Sequence, residues 1–367
     1  MEVKYLDLPR QFSDEALWQA LREQFGRAQF ILGENVKAFE ARFAELCQTA
    51  FALGVNSGAD ALFLALKALG IGTGDEVITV PNSFVATAGV IVAAGATPVF
   101  VDVGADYNID VNLIEPAITA KTKAILPVHL TGNPADMPRI LAIAKRHQLY
   151  VIEDAAQAVL AAIDGKVVGS FGDAGCFSLH PLKNLNVGGD GGVLTTNSAE
   201  MYEKVSLLRN HGLKNRDEIE FFGYNSRLDT IHATVALHGL KSLAEITEIR
   251  RKHARIYDRE LQALAEFVTV PPRRDEVYQV FHTYVVQVKR RAELMPYLQE
   301  HGVETKIHYP MPIHLQKPCL AMGCKRGDFP VSEQQAAAIV SLPIQQYLTE
   351  AQIHYVVARI NAFYQGK

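Results

Sequence analysis

The sequence predicts an α/β protein built on a mostly parallel sheet with helices on both faces. Two patterns predict it. Short apolar runs at 76–80, 99–102, 124–128, 149–152 and 174–179 read as buried strands. Stretches with helical spacing, near 114–120 and over 137–148, fall between them. Strands alternating with helices make crossovers that lay helices on the two faces of a parallel sheet. The 367 residues are enough for two packed units and a large core.

In chain order, Leu17, Leu21 and Phe25 mark a helix over 13–25, and Phe39, Phe43 and Leu46 mark another over 36–47. The apolar stretch 30–33 between them is a loop. Ser57 and Asp60 fit a Ser-x-x-Asp capping box opening a helix that runs to Leu69. The weakly polar run 85–101 reads as buried helix, turn and strand. Residues 200–208 form a helix. From about residue 246 the pattern changes: a long amphipathic helix over 246–267, strands at 268–270 and 284–288, a helix over 291–301, a strand over 303–310, and a closing helix over 349–364. This divides the chain into a large domain, 1–245, which includes the N-terminal lead-in, and a small domain, 246–367. No repeat or low-complexity linker separates them, so the two units are expected to pack together.

Composition removes several functions. Charged residues make up 21% and the net charge is −4, so no basic field awaits a nucleic acid. No stretch approaches the roughly 18 consecutive apolar residues of a membrane span, and the first residues lack a signal-peptide pattern. The four cysteines show no metal-ligand spacing and read as reduced core residues, which suits a cytoplasmic enzyme without a bound metal.

Two stretches carry chemistry. In Cys176-Phe-Ser-Leu-His-Pro-Leu-Lys183 a buried strand leads past a hydroxyl and an imidazole to a lone lysine, and a glycine-rich turn, 188–192, follows. Most lysines lie on solvated faces. One between an apolar strand and a glycine-rich loop is partly desolvated, which lowers its pKa, and a neutral amine is what bond formation with an aldehyde cofactor needs. In Val151-Ile-Glu-Asp154 a buried strand ends in a carboxylate, on the edge where open α/β sheets bind ligands. Taken alone, Asp154 has a helix N-cap as its alternative reading. The turn at Gly58 places the free amides of a helix N-terminus in reach of a phosphate, although most such caps bind nothing. Val128-His129 follows another strand onto the same edge, and His129 reads as a satisfied structural histidine.

Asn56-Ser-Gly-Ala-Asp-Ala-Leu62, Gly74-Asp-Glu-Val77, Glu153-Asp-Ala-Ala-Gln157, Ser178-Leu-His-Pro-Leu-Lys-Asn-Leu185, Gly189-Asp-Gly-Gly192 and Ile307-His-Tyr-Pro310 occur in that order. With them the whole chain resembles the DegT/StrS-type sugar aminotransferases. These belong to the fold type I enzymes of pyridoxal 5′-phosphate (PLP): a large domain with a mixed, mostly parallel sheet flanked by helices, plus a smaller C-terminal α+β domain. The resemblance implies Lys183 as the cofactor-bearing catalytic lysine and Asp154 as the partner of the ring nitrogen. It places Ser57, Gly58, Ala59 and Ser178 at the phosphate, Phe84 on the ring face and Gln157 beside the ring. It implies a homodimer with shared sites, in which Asn225 contacts the partner's cofactor. His180, His308, Tyr309 and His314 match positions near the substrate. The chain departs from the family in three places: Ala59 replaces a hydroxyl residue, Val159-Leu160 stands where a His-Gly pair is common, and His232 replaces a glutamine. No role is assigned to His129, His211 or His232.

The resemblance implies a ping-pong reaction. L-glutamate or L-glutamine gives its amino group to the cofactor, and a keto-sugar then takes it. A nucleotide-linked 3-keto or 4-keto deoxysugar fits best. A sugar acid, sugar phosphate or keto-cyclitol without a nucleotide is the alternative acceptor. A related branch that dehydrates sugars carries histidine where this chain has Lys183. A non-catalytic regulator on the same fold is the alternative of a different class, and Ala59 and Val159-Leu160 are the residues that point toward it.

Overall fold

Apolar runs of four or five residues pair into one seven-stranded sheet in this computed structural model, which describes residues 1–366. Across the sheet the strands are Phe51–Val55, Gly192–Thr196, Ala174–Ser178, Tyr150–Asp154, Thr122–Ile125, Glu76–Thr79 and Thr97–Phe100. Gly192–Thr196 is antiparallel to both its neighbours, and every other pairing is parallel. Ile78, Ala124, Ile125, Ile152 and Val193 are fully covered. Burial on both faces is why these strands read as continuous apolar runs rather than as alternating ones.

Helices cover both faces, as the pattern predicted. Gly58–Ala68, Val85–Ala94 and Ala199–Leu208 share one core with the sheet, centred on Leu62, Leu66, Ile91 and Val205. Met137–His147 packs on the other face through Met137, Ile140 and Ile143, with Asp136 capping its first turn by accepting from the Arg139 amide at 3.3 Å. In the C-terminal part, Leu243–Leu261 and Glu350–Tyr364 enclose a second core with the strands Val268–Thr269, Tyr284–Val288 and Ile339–Leu342. A capping box joins Thr349 and Gln352 at the start of the last helix.

The structure departs from the sequence reading in three places. Residues 114–120 form only the short turns Val111–Leu113 and Glu115–Ala117. The backbone turns extended again at Ile118, which ends the second turn before a further helical turn can form. Residues 303–310 make no strand, only bridges from Val303 to Val3 and from Lys306 to Ser341. The sheet also contains Phe51–Val55 and Gly192–Thr196, whose apolar runs are interrupted by Gly54 in the first and by Gly192, Thr195 and Thr196 in the second. At the N-terminus Phe12 packs on the core of the large domain, while Val3 exchanges backbone bonds with Gly302 and Glu304, and the Tyr5 amide donates to Glu304 Oε2 at 2.9 Å. Those bonds carry Tyr5 to the edge of the main sheet.

At that edge the parallel strands end together. Val55 leads into Ser57 and Gly58, Thr79 into Ser83 and Phe84, Tyr150–Asp154 ends on Asp154, and Ala174–Ser178 ends on Ser178. Ligands of open α/β sheets bind at this edge, where the connections diverge. No helix among the described residues is long and apolar enough to cross a membrane.

Candidate active site

Asp154 is 5% exposed, yet its carboxylate lines a cavity of about 350 Å³ at the sheet edge. Thr87 Oγ1 donates to Asp154 Oδ2 at 2.8 Å, Ser83 Oγ lies 2.8 Å from Thr87 Oγ1, and the Ala156 amide donates to Asp154 Oδ1 at 3.2 Å. Burial raises the Asp154 pKa, and the Thr87 bond opposes it. Its neighbour Glu153 turns the other way and is fully buried. Glu153 accepts from the amides of Gly169, Phe171 and Gly172 and from His129 Nε2, while His129 Nδ1 accepts from the Ala135 amide. His129 is thus a satisfied structural histidine, as read from sequence.

Lys183 sits on a tight turn after the strand Ala174–Ser178. Its amide donates to His180 O at 2.8 Å, Asn186 Nδ2 donates to its carbonyl at 3.2 Å, and Asn184 Nδ2 donates to Val280 O at 3.2 Å. Buried Leu185 and Val187 anchor the segment beyond. The side chain is half-buried and reaches the same cavity as Asp154. Burial lowers the Lys183 pKa to about 8, with Asp154 pulling the other way. Roughly a tenth of the amine is therefore neutral at pH 7, far more than for an ordinary lysine, as an amine nucleophile or base requires.

Opposite the strand ends lies an anion cradle. Ser57 caps Gly58–Ala68 by accepting from the Asp60 amide at 3.0 Å. The box is not reciprocal: Asp60 Oδ2 accepts from Ser226 Oγ at 2.7 Å instead. The amides of Gly58 and Ala59 are left free by the helix geometry, and both residues line the cavity. A Cβ on Gly58 would lie 2.7 Å from the Ser178 Cβ, so only glycine lets this turn approach the strand end. Free helix-end amides, a partly neutral lysine and a buried carboxylate in one cavity fit a phosphorylated pyridine aldehyde, PLP.

Gln157 lies not on a helix, as the sequence spacing implied, but in the turn after Asp154. Its Oε1 accepts from the Thr131 amide at 2.7 Å, and the residue lines the cavity. Phe84 is 55% exposed on the cavity rim, with its ring 5.9 Å from that of Tyr309. His308 Nδ1 lies 2.8 Å from Ser341 Oγ, and its ring stacks on Tyr5 at 6.0 Å. Burial, and then the charge of Lys183, push the His308 pKa down to about 4, so this imidazole is neutral. His180 is exposed at the mouth, its Nδ1 accepting from the Leu182 amide at 3.3 Å.

Most of the expected residues therefore converge: Ser57, Gly58, Ala59, Phe84, Asp154, Gln157, Ser178, His180, Lys183, His308 and Tyr309 line one cavity. Two do not. His314 is fully buried elsewhere, with Nε2 3.0 Å from Glu333 Oε1 and its ring against Phe329, so it is no substrate ligand in this structure. Asn225 is exposed outside its own chain's cavity, on a loop fixed by bonds between His211 and Tyr224 and between Tyr224 and Leu208. His232 packs against the glycine-rich turn, beneath Gly189. The cavity also takes Tyr5, Ser83, Thr87, Asp190, His282 and Thr283, which were not read as site residues. For His282-Thr283 a signal existed, a polar pair directly ahead of an apolar strand. For Tyr5 none did, because long-range pairing alone brings it in.

Comparison with known proteins agrees with this geometry. A model of the DegT/DnrJ/EryC1/StrS aminotransferase family matches residues 11–361. The chain is 45% identical over 368 residues to a pleiotropic regulatory protein of Geobacillus stearothermophilus, with 99% of each covered. It is 44% identical over 340 residues to a UDP-N-acetyl-3-dehydro-alpha-D-glucosamine 3-aminotransferase of Acidithiobacillus ferrooxidans, covering 92% of this chain and 91% of that one. The crystal structure of DesV from S. venezuelae, in complex with a ketimine intermediate, superposes with a TM-score of 0.96 at 38% identity, covering 99% of this chain and 98% of that one.

Proposed function

Because the chain belongs to the DegT/DnrJ/EryC1/StrS aminotransferase family, we propose that it moves an amino group from L-glutamate or L-glutamine to a nucleotide-linked keto-sugar. The observation that carries this reading is the meeting of Lys183 and Asp154 in one cavity beside the free amides of Gly58 and Ala59. The 3-dehydro sugar named for the A. ferrooxidans relative favours a 3-keto acceptor. The likeness to a regulatory protein leaves the reading unchanged, since a regulator has no need of a lysine whose pKa is lowered toward neutrality at the site. Four unpaired cysteines suit a reducing, cytoplasmic setting.

When bound, PLP supplies an aldehyde to join the amine and a ring that withdraws electrons from it. The Gly58 and Ala59 amides, with Ser178, hold the phosphate. Asp154, held by Thr87 and Ala156, keeps a proton on the ring nitrogen. Phe84, on the cavity rim, would face the ring, and Gln157 would lie beside it. Lys183 Nζ takes the proton from the donor's α-carbon and, in the second half of the cycle, returns one to the sugar carbon. The test is direct: protein loaded with PLP is incubated with L-glutamate and a panel of UDP- and dTDP-linked 3-keto and 4-keto sugars, and the products are read by mass spectrometry. Formation of an amino sugar together with 2-oxoglutarate supports the reading. No amino sugar from any acceptor in the panel removes the nucleotide-sugar part of it.

We further infer a homodimer with shared sites. The segment leading to Asn225 exposes Ile219, Phe222 and Tyr224 together, an apolar group of the kind that marks an interaction surface. Mixing Lys183→Ala and Asn225→Ala protomers should restore about a quarter of wild-type activity when subunits exchange freely, because half the dimers then hold one intact site. Proven exchange with no recovery would show that Asn225 does not act across an interface.

A further inference from the structure

The cavity wall facing the C-terminal part holds two side chains whose polar atoms lack partners. Thr283 is 3% exposed and its Oγ1 makes no hydrogen bond; the adjacent His282 Nδ1 makes none either, and both residues line the cavity. A buried hydroxyl or imidazole nitrogen left unpaired is costly, so such groups generally face a ligand or water. Directly behind them lies Arg250, 3% exposed. Its guanidinium donates to Phe281 O at 3.2 Å, His282 O at 3.3 Å and Gln346 Oε1 at 3.0 Å, and Nε has no partner. Among the described residues no carboxylate pairs with it. A buried cation compensated only by neutral oxygens makes a corner that favours an anion.

The chemistry of the anion follows from its neighbours. Lys183 is close enough to His282 that its charge, with that of Arg250, helps burial keep the imidazole neutral. An anion here therefore lies next to the reacting amine. A sugar hydroxyl, which must donate as well as accept, gains little from a cation behind the wall. A carboxylate bonded to the same carbon as the reacting amine meets both conditions. No arginine lines the cavity, and the lining residues other than Lys183 and the histidines carry no positive charge.

We propose that Thr283 and His282, with the Arg250 guanidinium behind them, hold the α-carboxylate of the amino donor. The assignment rests on the transamination reading and makes these residues determinants of donor binding. The test is titration calorimetry of the PLP-loaded protein with glutarate, a dicarboxylate without an amine. Thr283→Val and His282→Ala should each raise the glutarate Kd about tenfold, the loss of one hydrogen bond to a charged group, and Thr283→Ser should restore wild-type binding. In steady-state assays the KM for L-glutamate should rise several times more than that for the keto-sugar. The proposal is overturned if wild type shows no saturable glutarate binding, if Thr283→Val binds as wild type does, or if Thr283→Ser loses as much as Thr283→Val. Failure of the transamination reading shows separately, as a wild-type chain that binds glutarate but never turns over L-glutamate.

Discussion

Lys183→Ala is expected to reduce amino transfer by roughly 10³-fold or more, the scale of removing a positioned proton-transfer group, while leaving the fold intact. The turn does not depend on the side chain. It is held by the Lys183 amide on His180 O, by the Asn186 amide nitrogen on the Lys183 carbonyl, and by Asn184 on Val280 O. Alanine keeps all three. What is lost is the one amine in the cavity with its pKa brought down to about 8. A far-ultraviolet circular dichroism spectrum matching wild type, together with no turnover, is the expected pair of results. Retained transamination would show that the proton moves elsewhere.

Asp154→Asn is the second large effect, about 10²-fold or more, the usual size of removing one electrostatic stabiliser from an enclosed site. The substitution preserves shape. An asparagine oxygen still accepts from the Ala156 amide, and the Thr87 hydroxyl, shared with Ser83, turns to accept from the new NH₂. In the proposed role it removes the negative charge that would keep a proton on the ring nitrogen. The loss should fall on the turnover of both substrates and hardly on stability. A near-wild-type rate with folded protein would take Asp154 out of this role.

The parts of the site legible in the sequence are those fixed by local pattern. Asp154 and Lys183 each follow a buried apolar strand, and strand ends place side chains at a predictable edge. Gly58 was legible because a cap and a glycine mark a tight helix start. Residues placed by distant pairing were not legible. Tyr5 reaches the cavity through bonds between Val3 and the 302–304 segment, and nothing near Tyr5 announces them. His314 shows the converse. Its position matched a substrate-side pattern, yet its imidazole turns into the core to meet Glu333. Gln157 lines the cavity from a turn rather than from the helix that its spacing from Asp154 suggests. Residues 303–310, expected as a strand, instead run in irregular backbone and touch the edge strand Ile339–Leu342 only through the bridge from Lys306 to Ser341, while His308 and Tyr309 reach the cavity.

The most direct measurement is an absorbance spectrum of the purified protein with PLP, before and after L-glutamate is added. We expect a visible band that bleaches on adding L-glutamate and returns when a keto-sugar acceptor follows, with the band absent in Lys183→Ala. A protein that takes up no cofactor, or a band that L-glutamate and L-glutamine both leave untouched, would contradict the account.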